Sequence, residues 1–172
     1  LANPFVDLVL RPSGGLPKNV FQQVQALQPD LITLWLGNND VLGYATSGGT
    51  SPSAPTLVGA FAALYTQMLD TLRVMLPNAK ILVGNIPDVT TIPFFTTVGP
   101  ATQALGISAV YGIRSAGDTV VMNLKTNLLT LNAQAELAQG KGVLRGNPLS
   151  NLAVLDSIEM AIAQAAVTGY NT

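Results

Sequence analysis

The sequence predicts an α/β protein with a parallel sheet. An apolar run at residues 31–36 has the length and the flanking turn residues that are typical of a strand buried on both faces, and a second short apolar run lies within residues 79–88 and ends in Pro-Asp. Between them, residues 56–76 repeat apolar side chains at steps of three and four, which is the spacing of one face of a helix. Strand, helix and strand in that order predict a βαβ unit over residues 31–88, with a right-handed crossover.

The composition fits one packed domain and argues against several functional classes. Of the 172 residues, 48% are hydrophobic and 10% are charged, and the net charge is -1 with Lys and Arg scattered singly. We therefore expect no nucleic-acid partner, because no basic stripe could follow a phosphate backbone. No run approaches the ~18 apolar residues of a spanning helix, so no transmembrane segment is expected. The chain has no cysteine and no histidine, which excludes zinc fingers, disulfide scaffolds, thiol catalysis and histidine proton relays within this chain. We expect no cofactor and no metal.

The elements before the first loop follow from apolar periodicity and turn residues. A helix is predicted over residues 18–27, and Pro29 and Asp30 end it before the first strand. We expect Trp35, inside that strand, to pack in the core. Gly37–Asp40 is predicted to be a turn at the strand's end, and residues 43–55 are predicted to be an exposed loop beside it.

The helix predicted over residues 56–76 is amphipathic and ends at Pro77. Its apolar stripe, which we expect to face the core, consists of Leu57, Phe61, Leu64, Met68, Leu72 and Met75.

The second half of the chain has weaker signals. Residues 109–124 are typical of two short strands around a turn at 115–118. A helix is predicted over residues 123–139, followed by a glycine-rich loop over residues 140–151. In the last helix, Asp156 and Glu159 have the spacing of a capping box. Its expected apolar stripe is Ile158, Ile162 and Ala165.

The segment Gly37-Asn38-Asn39-Asp40 combines residue types that suit a chemical task. Glycine permits a sharp turn, an asparagine amide offers an N–H donor, and an aspartate can fix the turn by accepting backbone N–H groups. The alternative is an ordinary turn, because Asn, Gly and Asp are common turn residues. These four residues alone support the two interpretations about equally.

A family resemblance favours the functional interpretation. "LWLGNNDVLGYA" resembles the Gly-x-Asn-Asp block of the SGNH hydrolases, also called GDSL lipases or esterases. "ILVGNIPDVTTIPFFTTV" and "GNPLSNLAVLDSIEMAIAQAAVTGYN" are similar to bacterial members of that family. The resemblance implies a flavodoxin-like three-layer sandwich that hydrolyses a small-molecule ester or lipid with a Ser-His-Asp triad. It also implies a secreted or cell-envelope protein of a bacterium. By the same resemblance, Asn39 would be the side-chain donor of the oxyanion hole, and Gly37 and Asp40 would shape its turn.

Several blocks of the family have no counterpart in these 172 residues. They are the Gly-Asp-Ser block of the nucleophile, the glycine block of a backbone oxyanion donor, and the Asp-x-x-His block of the base. We therefore expect residues 1–172 to be the central part of a single domain, incomplete at both ends, with a family-specific insertion over residues 89–150. Ser47, Ser51 and Ser53 follow no Gly-Asp pair and are interpreted as loop residues.

Two functions stay open at this point. The first is an ester hydrolase that is active when complete, whereas the 172 residues alone would be inactive. Its substrate's acyl group would lie against the loop after Asp40 or the apolar region at Phe94 and Phe95. The second is a catalytically silent binding module on the same fold, because a fold does not determine an activity.

Overall fold

A computed structural model describes residues 20–50 and 54–172 of the chain. The predicted helix start at residues 18 and 19 lies outside these ranges. In chain order the helices and strands are α1 (Val20–Leu27), β1 (Leu31–Leu34), α2 (Asn38–Thr46), α3 (Val58–Met75), β2 (Lys80–Val83), α4 (Pro93–Thr96), α5 (Val98–Ala104), β3 (Ala109–Ile113), β4 (Thr119–Asn123), β5 (Leu128–Leu129), α6 (Ala133–Ala138), β6 (Val154–Leu155) and α7 (Ser157–Tyr170). Short 3₁₀ turns occupy Val89–Thr91 and Asn151–Ala153.

The chain divides into two compact units. The first takes its described residues from Leu1–Leu34 and Ala62–Gly84, and the second takes them from Trp35–Phe61 and Asn85–Thr172. The first unit has one cluster of buried residues and the second unit has two.

The first unit contains the predicted parallel strand pair. β1 and β2 are parallel, with Leu31 opposite Lys80 and Leu34 opposite Val83. The predicted order of strand, helix and strand is thus confirmed. The prediction that the first strand is buried on both faces is wrong. Ile32 is buried, whereas Leu31 is 59% exposed. Within the described ranges β1 has one strand neighbour, β2. A sheet of two strands does not give β1 the cover on both faces that a strand inside a larger parallel sheet has.

Helix α3 confirms the predicted helix, although its apolar stripe is only partly a core face. Leu72 is buried against Ile32 and Leu76, and Met68 and Met75 pack on that cluster. Leu57 and Leu64, in contrast, are exposed. The periodic spacing identifies the helix, but the extent of its covered face depends on neighbours that the spacing does not specify.

The second unit begins with a helix where the sequence predicted a turn and a loop. Gly37 precedes α2, which continues through Thr46 and therefore through the first part of the predicted loop. Val41, Tyr44 and Ala45 are buried at helical spacing and pack against α7. Burial of this short face explains why a segment containing Gly43 is helical despite its low intrinsic propensity.

The hairpin of β3 and β4 confirms the two strands predicted around residues 115–118, and its register pairs Tyr111 with Val121. The helix predicted over residues 123–139 is wrong for most of that range. Residues 128–129 form β5, which is antiparallel to β6, and the helix α6 is limited to Ala133–Ala138. The glycine-rich segment that follows is a series of turns, as predicted.

Helix α7 starts with the predicted capping box. The Asp156 carboxylate accepts from the N–H groups of Ile158 and Glu159, and the Glu159 carboxylate accepts from the Asp156 N–H.

The apolar stripe predicted for α7 is wrong, because Ile158, Ile162 and Ala165 are exposed. The buried face lies one residue further on and consists of Glu159, Ala163 and Ala166. Small alanine side chains allow close packing of α7 on α2.

Among the described residues, no helix combines the length and the apolar character that crossing a membrane requires.

Candidate active site

Gly37 begins α2 in a conformation that excludes other residue types. Its φ of +104° is in the left-handed region, and its carbonyl accepts from the N–H groups of Asp40 and Val41. A Cβ at this position would lie 2.6 Å from Ile86 Cδ1 and 2.9 Å from Phe61 Cζ. Both the backbone conformation and the lack of space therefore require glycine here.

Asn39 lies in the first turn of α2 with its side chain exposed. Asn38 is half-buried, and its Nδ2 donates to Asn39 Oδ1 at 3.5 Å. Within residues 20–50 and 54–172, Asn39 Nδ2 donates to no protein group. Since the Asp40 N–H bonds to the Gly37 carbonyl, the N–H groups of the first turn without an intrahelical partner are those of Asn38 and Asn39.

The Asp40 carboxylate is half-buried and has three partners. It accepts from Thr56 N at 2.7 Å, from Thr56 Oγ1 at 3.2 Å and from Tyr170 Oη at 2.5 Å. The carboxylate therefore joins the start of α2 to a segment 16 residues further on and to the last residue of α7. The sequence indicated a brace within the turn, whereas the partners of this side chain lie outside it.

Tyr170 is a residue that the sequence did not single out. Its ring stacks on Phe61 with centroids 3.8 Å apart and planes at 10°. Its hydroxyl, which has one hydrogen to donate, lies 2.5 Å from both Asp40 Oδ2 and Thr56 O. Burial, followed by the hydrogen bond and the charge of Asp40, raises the pKa of the Tyr170 phenol, and the Thr56 side chain acts in the opposite direction. The phenol is therefore protonated and able to donate at neutral pH.

Asn171 is the second residue that the sequence did not identify. Its Oδ1 accepts from Ile86 N at 2.8 Å, and its Nδ2 donates to Ile86 O at 2.9 Å. Both backbone groups of Ile86 are thus held by one side chain. No local signal could have indicated this contact, because the two residues are 85 positions apart.

The remaining predicted site residues have local structural roles or lie outside the described ranges. Ser47 follows α2, and its Oγ donates to Tyr44 O at 2.8 Å. Ser51 and Ser53 lie outside the described residues.

The aromatic residues singled out by the sequence are Phe94, Phe95 and Trp35. Phe95 is buried in the core and meets Phe94 edge-on at 5.1 Å, so its ring is not available to a ligand. The prediction that Trp35 packs in the core is wrong, because Trp35 follows the last residue of β1 and is exposed. Its Nε1 donates to Asn85 O at 3.1 Å.

A scan of protein-family models matches residues 15–152 to the GDSL-like Lipase/Acylhydrolase family. The chain belongs to this family. The matched residues include Gly37, Asn39 and Asp40, and membership assigns the chain to a group of ester-cleaving hydrolases that act on small molecules. Searches of curated proteins and of solved structures found no match to the chain.

Proposed function

We propose that this GDSL-family chain provides the oxyanion-binding part of a serine ester hydrolase. In this mechanism a serine attacks an ester carbonyl, a histidine takes the serine proton, and the negatively charged tetrahedral oxygen accepts hydrogen bonds from donors that include Asn39 Nδ2. The observation that carries the proposal is an exposed amide on a fixed helical turn, within the residues that match the family.

The electrostatics at the start of α2 support the assignment of Asn39. An oxyanion donor is effective when it is held in place before charge develops and need not reorient during the reaction. Asn39 Nδ2 donates to no group among the described residues and is available to a ligand, and the 3.5 Å contact from Asn38 Nδ2 to Asn39 Oδ1 is at the long limit of a hydrogen bond. The N-terminal end of a helix dipole adds a favourable field for a negative charge.

The nucleophile and the base of this mechanism come from residues outside these 172. The chain has no histidine, and none of its serines follows a Gly-Asp pair. The coding sequence on either side of the chain tests the origin of the nucleophile and the base directly, because it either contains Gly-Asp-Ser and Asp-x-x-His blocks or does not.

The same proposal covers the fold and the source of the protein. β1 and β2 are part of the parallel sheet of a flavodoxin-like sandwich, and residues 89–150 are a family-specific insertion. The protein is a bacterial one that is secreted or bound to the cell envelope.

The decisive experiment compares Asn39→Ala with Asn38→Ala in the full-length hydrolase, meaning a protein that joins these residues to both blocks. We expect Asn39→Ala to lower kcat by about 10²- to 10³-fold with a much smaller change in KM, because the bond to the oxyanion forms only as charge develops. Asn38→Ala, the matched control, should cost less than about tenfold, below the loss typical of an oxyanion donor. Circular dichroism verifies that both variants fold.

Two outcomes would contradict the proposal. If Asn38→Ala abolishes turnover and Asn39→Ala does not, the donor is the preceding residue. If neither variant lowers kcat, the turn has no catalytic role, and the silent binding module becomes the better interpretation. As a baseline, the 172 residues alone should not hydrolyse short-chain nitrophenyl esters, because the chain has no histidine to act as base.

A further inference from the structure

Two consecutive residues at the end of α7 hold the Gly37–Asp40 turn from two sides. Tyr170 donates to the Asp40 carboxylate, and Asn171 binds both backbone groups of Ile86. Ile86 in turn lies against Gly37, since its Cδ1 is the nearest atom to a Cβ placed there. The first and last residues of the turn are therefore each connected to α7.

The Tyr170 contact determines how the first turn of α2 is oriented. Asp40 follows Asn39 directly, so fixing the Asp40 carboxylate restricts rotation of the first helical turn about its axis. The tyrosine ring is itself held by stacking on Phe61. Because ring and hydroxyl make different contacts, the hydroxyl can be removed while the ring packing is kept.

The Asn171 contact determines where the turn begins. A side-chain amide that accepts from an N–H and donates to the C=O of the same residue imitates a pair of strand hydrogen bonds. It fixes Ile86, whose buried side chain fills the space in front of Gly37. A shift of Ile86 would therefore move the start of the turn.

We propose that Tyr170 and Asn171 are positioning residues that set the direction of the Asn39 amide, Tyr170 through Asp40 and Asn171 through Ile86 and Gly37. The inference rests on the proposed oxyanion role of Asn39. It adds two residues beyond the range 15–152 that matches the family. The physical reason is that an oxyanion donor must lie about 2.7–3.1 Å from the charged oxygen, and misplacement by about 1 Å can cost about 10²-fold in rate.

The kinetic test uses the full-length hydrolase. We expect Tyr170→Phe and Asn171→Ala each to lower kcat by about 10- to 100-fold with little change in KM. Asn171→Asp keeps an acceptor for Ile86 N but places a carboxylate oxygen against Ile86 O, so it should lower kcat at least as much as Asn171→Ala. Tyr111→Phe is the matched control, because Tyr111 is a half-buried tyrosine on β3, away from the turn, and it should leave kcat unchanged.

A double variant separates positioning from a general structural role. If Tyr170 acts through Asn39, adding Tyr170→Phe to Asn39→Ala should cause no further loss of kcat, whereas independent roles would multiply the two losses. Equal losses with and without the Asn39 amide would overturn the inference. A full loss in Asn39→Ala together with normal kcat in Tyr170→Phe and Asn171→Ala would overturn it while leaving the proposed function intact. Normal kcat in Asn39→Ala would remove the proposed function itself.

Nuclear magnetic resonance of the full-length hydrolase gives a readout that does not depend on activity. In Tyr170→Phe and Asn171→Ala, we expect the side-chain amide signal of Asn39 and the backbone amides of residues 37–41 to shift or broaden. The signals of the β3–β4 hairpin should be unchanged in the same spectra. Unchanged signals over residues 37–41 in both variants would contradict a positioning role whatever the kinetic result.

Discussion

The two segments that follow β1 and β2 begin alike and are stabilised differently. The first is Gly37-Asn38-Asn39-Asp40 and the second is Gly84-Asn85-Ile86-Pro87-Asp88. Asp40 accepts hydrogen bonds from Thr56 and Tyr170, which are 16 and 130 positions away. Asp88 accepts from the N–H and the hydroxyl of Thr90, two positions away.

This difference shows what long-range bonds provide. The Asp88 carboxylate caps its own 3₁₀ turn, a local arrangement that needs little help from the rest of the chain. The Asp40 carboxylate is in place only when α7 has packed, so the geometry of its turn depends on the fold of its unit. If Asn39 is the proposed oxyanion donor, such distant restraints would hold it in place to a fraction of an ångström.

The largest expected effect comes from Gly37→Ala. Alanine with a left-handed backbone costs about 1–2 kcal/mol, and the overlap with Ile86 and Phe61 adds about 1–3 kcal/mol of overpacking. We therefore expect the free energy of unfolding in urea to fall by about 2–5 kcal/mol. Gly43→Ala is the control, because it lies within α2 and a Cβ placed there would have no atom within 4 Å, and it should stabilise by about 0.5–1 kcal/mol. Equal effects at the two glycines would mean that the Gly37 turn is not constrained.

The next effect compares the two aspartates directly. Asp40→Ala leaves Thr56 and Tyr170 without their half-buried acceptor, which should cost about 1.5–3 kcal/mol, the range for hydrogen bonds to a charged group. Asp88→Ala removes a local cap and should cost about 1 kcal/mol. Both are measured by urea denaturation followed by circular dichroism. If Asp88→Ala is the more damaging change, the long-range partners contribute less than the local cap.

The smallest effect should appear at alkaline pH. The pKa of Tyr170 is raised above the ordinary tyrosine value of about 10. A raised pKa means that its contribution is fully present below the unfolded-state pKa and is lost only as pH rises through the folded-state value. We expect the hydrogen bond between Tyr170 and Asp40 to persist above the pH at which an ordinary tyrosine ionises.

A spectrophotometric titration of the tyrosines measures this. The tyrosinate that forms at the highest pH in the wild type should be missing in Tyr170→Phe. An ordinary ionisation of Tyr170 would show that its hydroxyl is not held by Asp40.

Much of the fold was predictable from local signals. Helical spacing identified α3, apolar runs identified β1 and β2, and the Asp156 and Glu159 pair identified the start of α7. Each of these depends on neighbours within a few residues, which is the range over which periodicity and capping act.

The errors concern features determined by distant contacts. β5 pairs with β6 through Leu128 and Leu155, a partner that no pattern in residues 123–139 specifies. The sequence of α2 does contain a helical pattern, since Val41, Tyr44 and Ala45 have helical spacing, but the neighbouring glycines led to the prediction of a loop.

In the candidate site, Gly37, Asn39 and Asp40 were predicted from their residue types and from the family resemblance. Tyr170 and Asn171 could not be found in this way, because only folding brings them to the turn.

Helix α7 also limits how the chain can change in length. Its start is fixed by the Glu159 side chain, which also accepts from Ser115 N, and its end presents Tyr170 to Asp40. Deleting one residue between these ends would turn Tyr170 by about 100° and draw it back about 1.5 Å, so its hydroxyl could not reach the carboxylate. The exposed positions of α7 can therefore accept many substitutions, whereas insertions and deletions within it cannot be accommodated without separating the turn from its support.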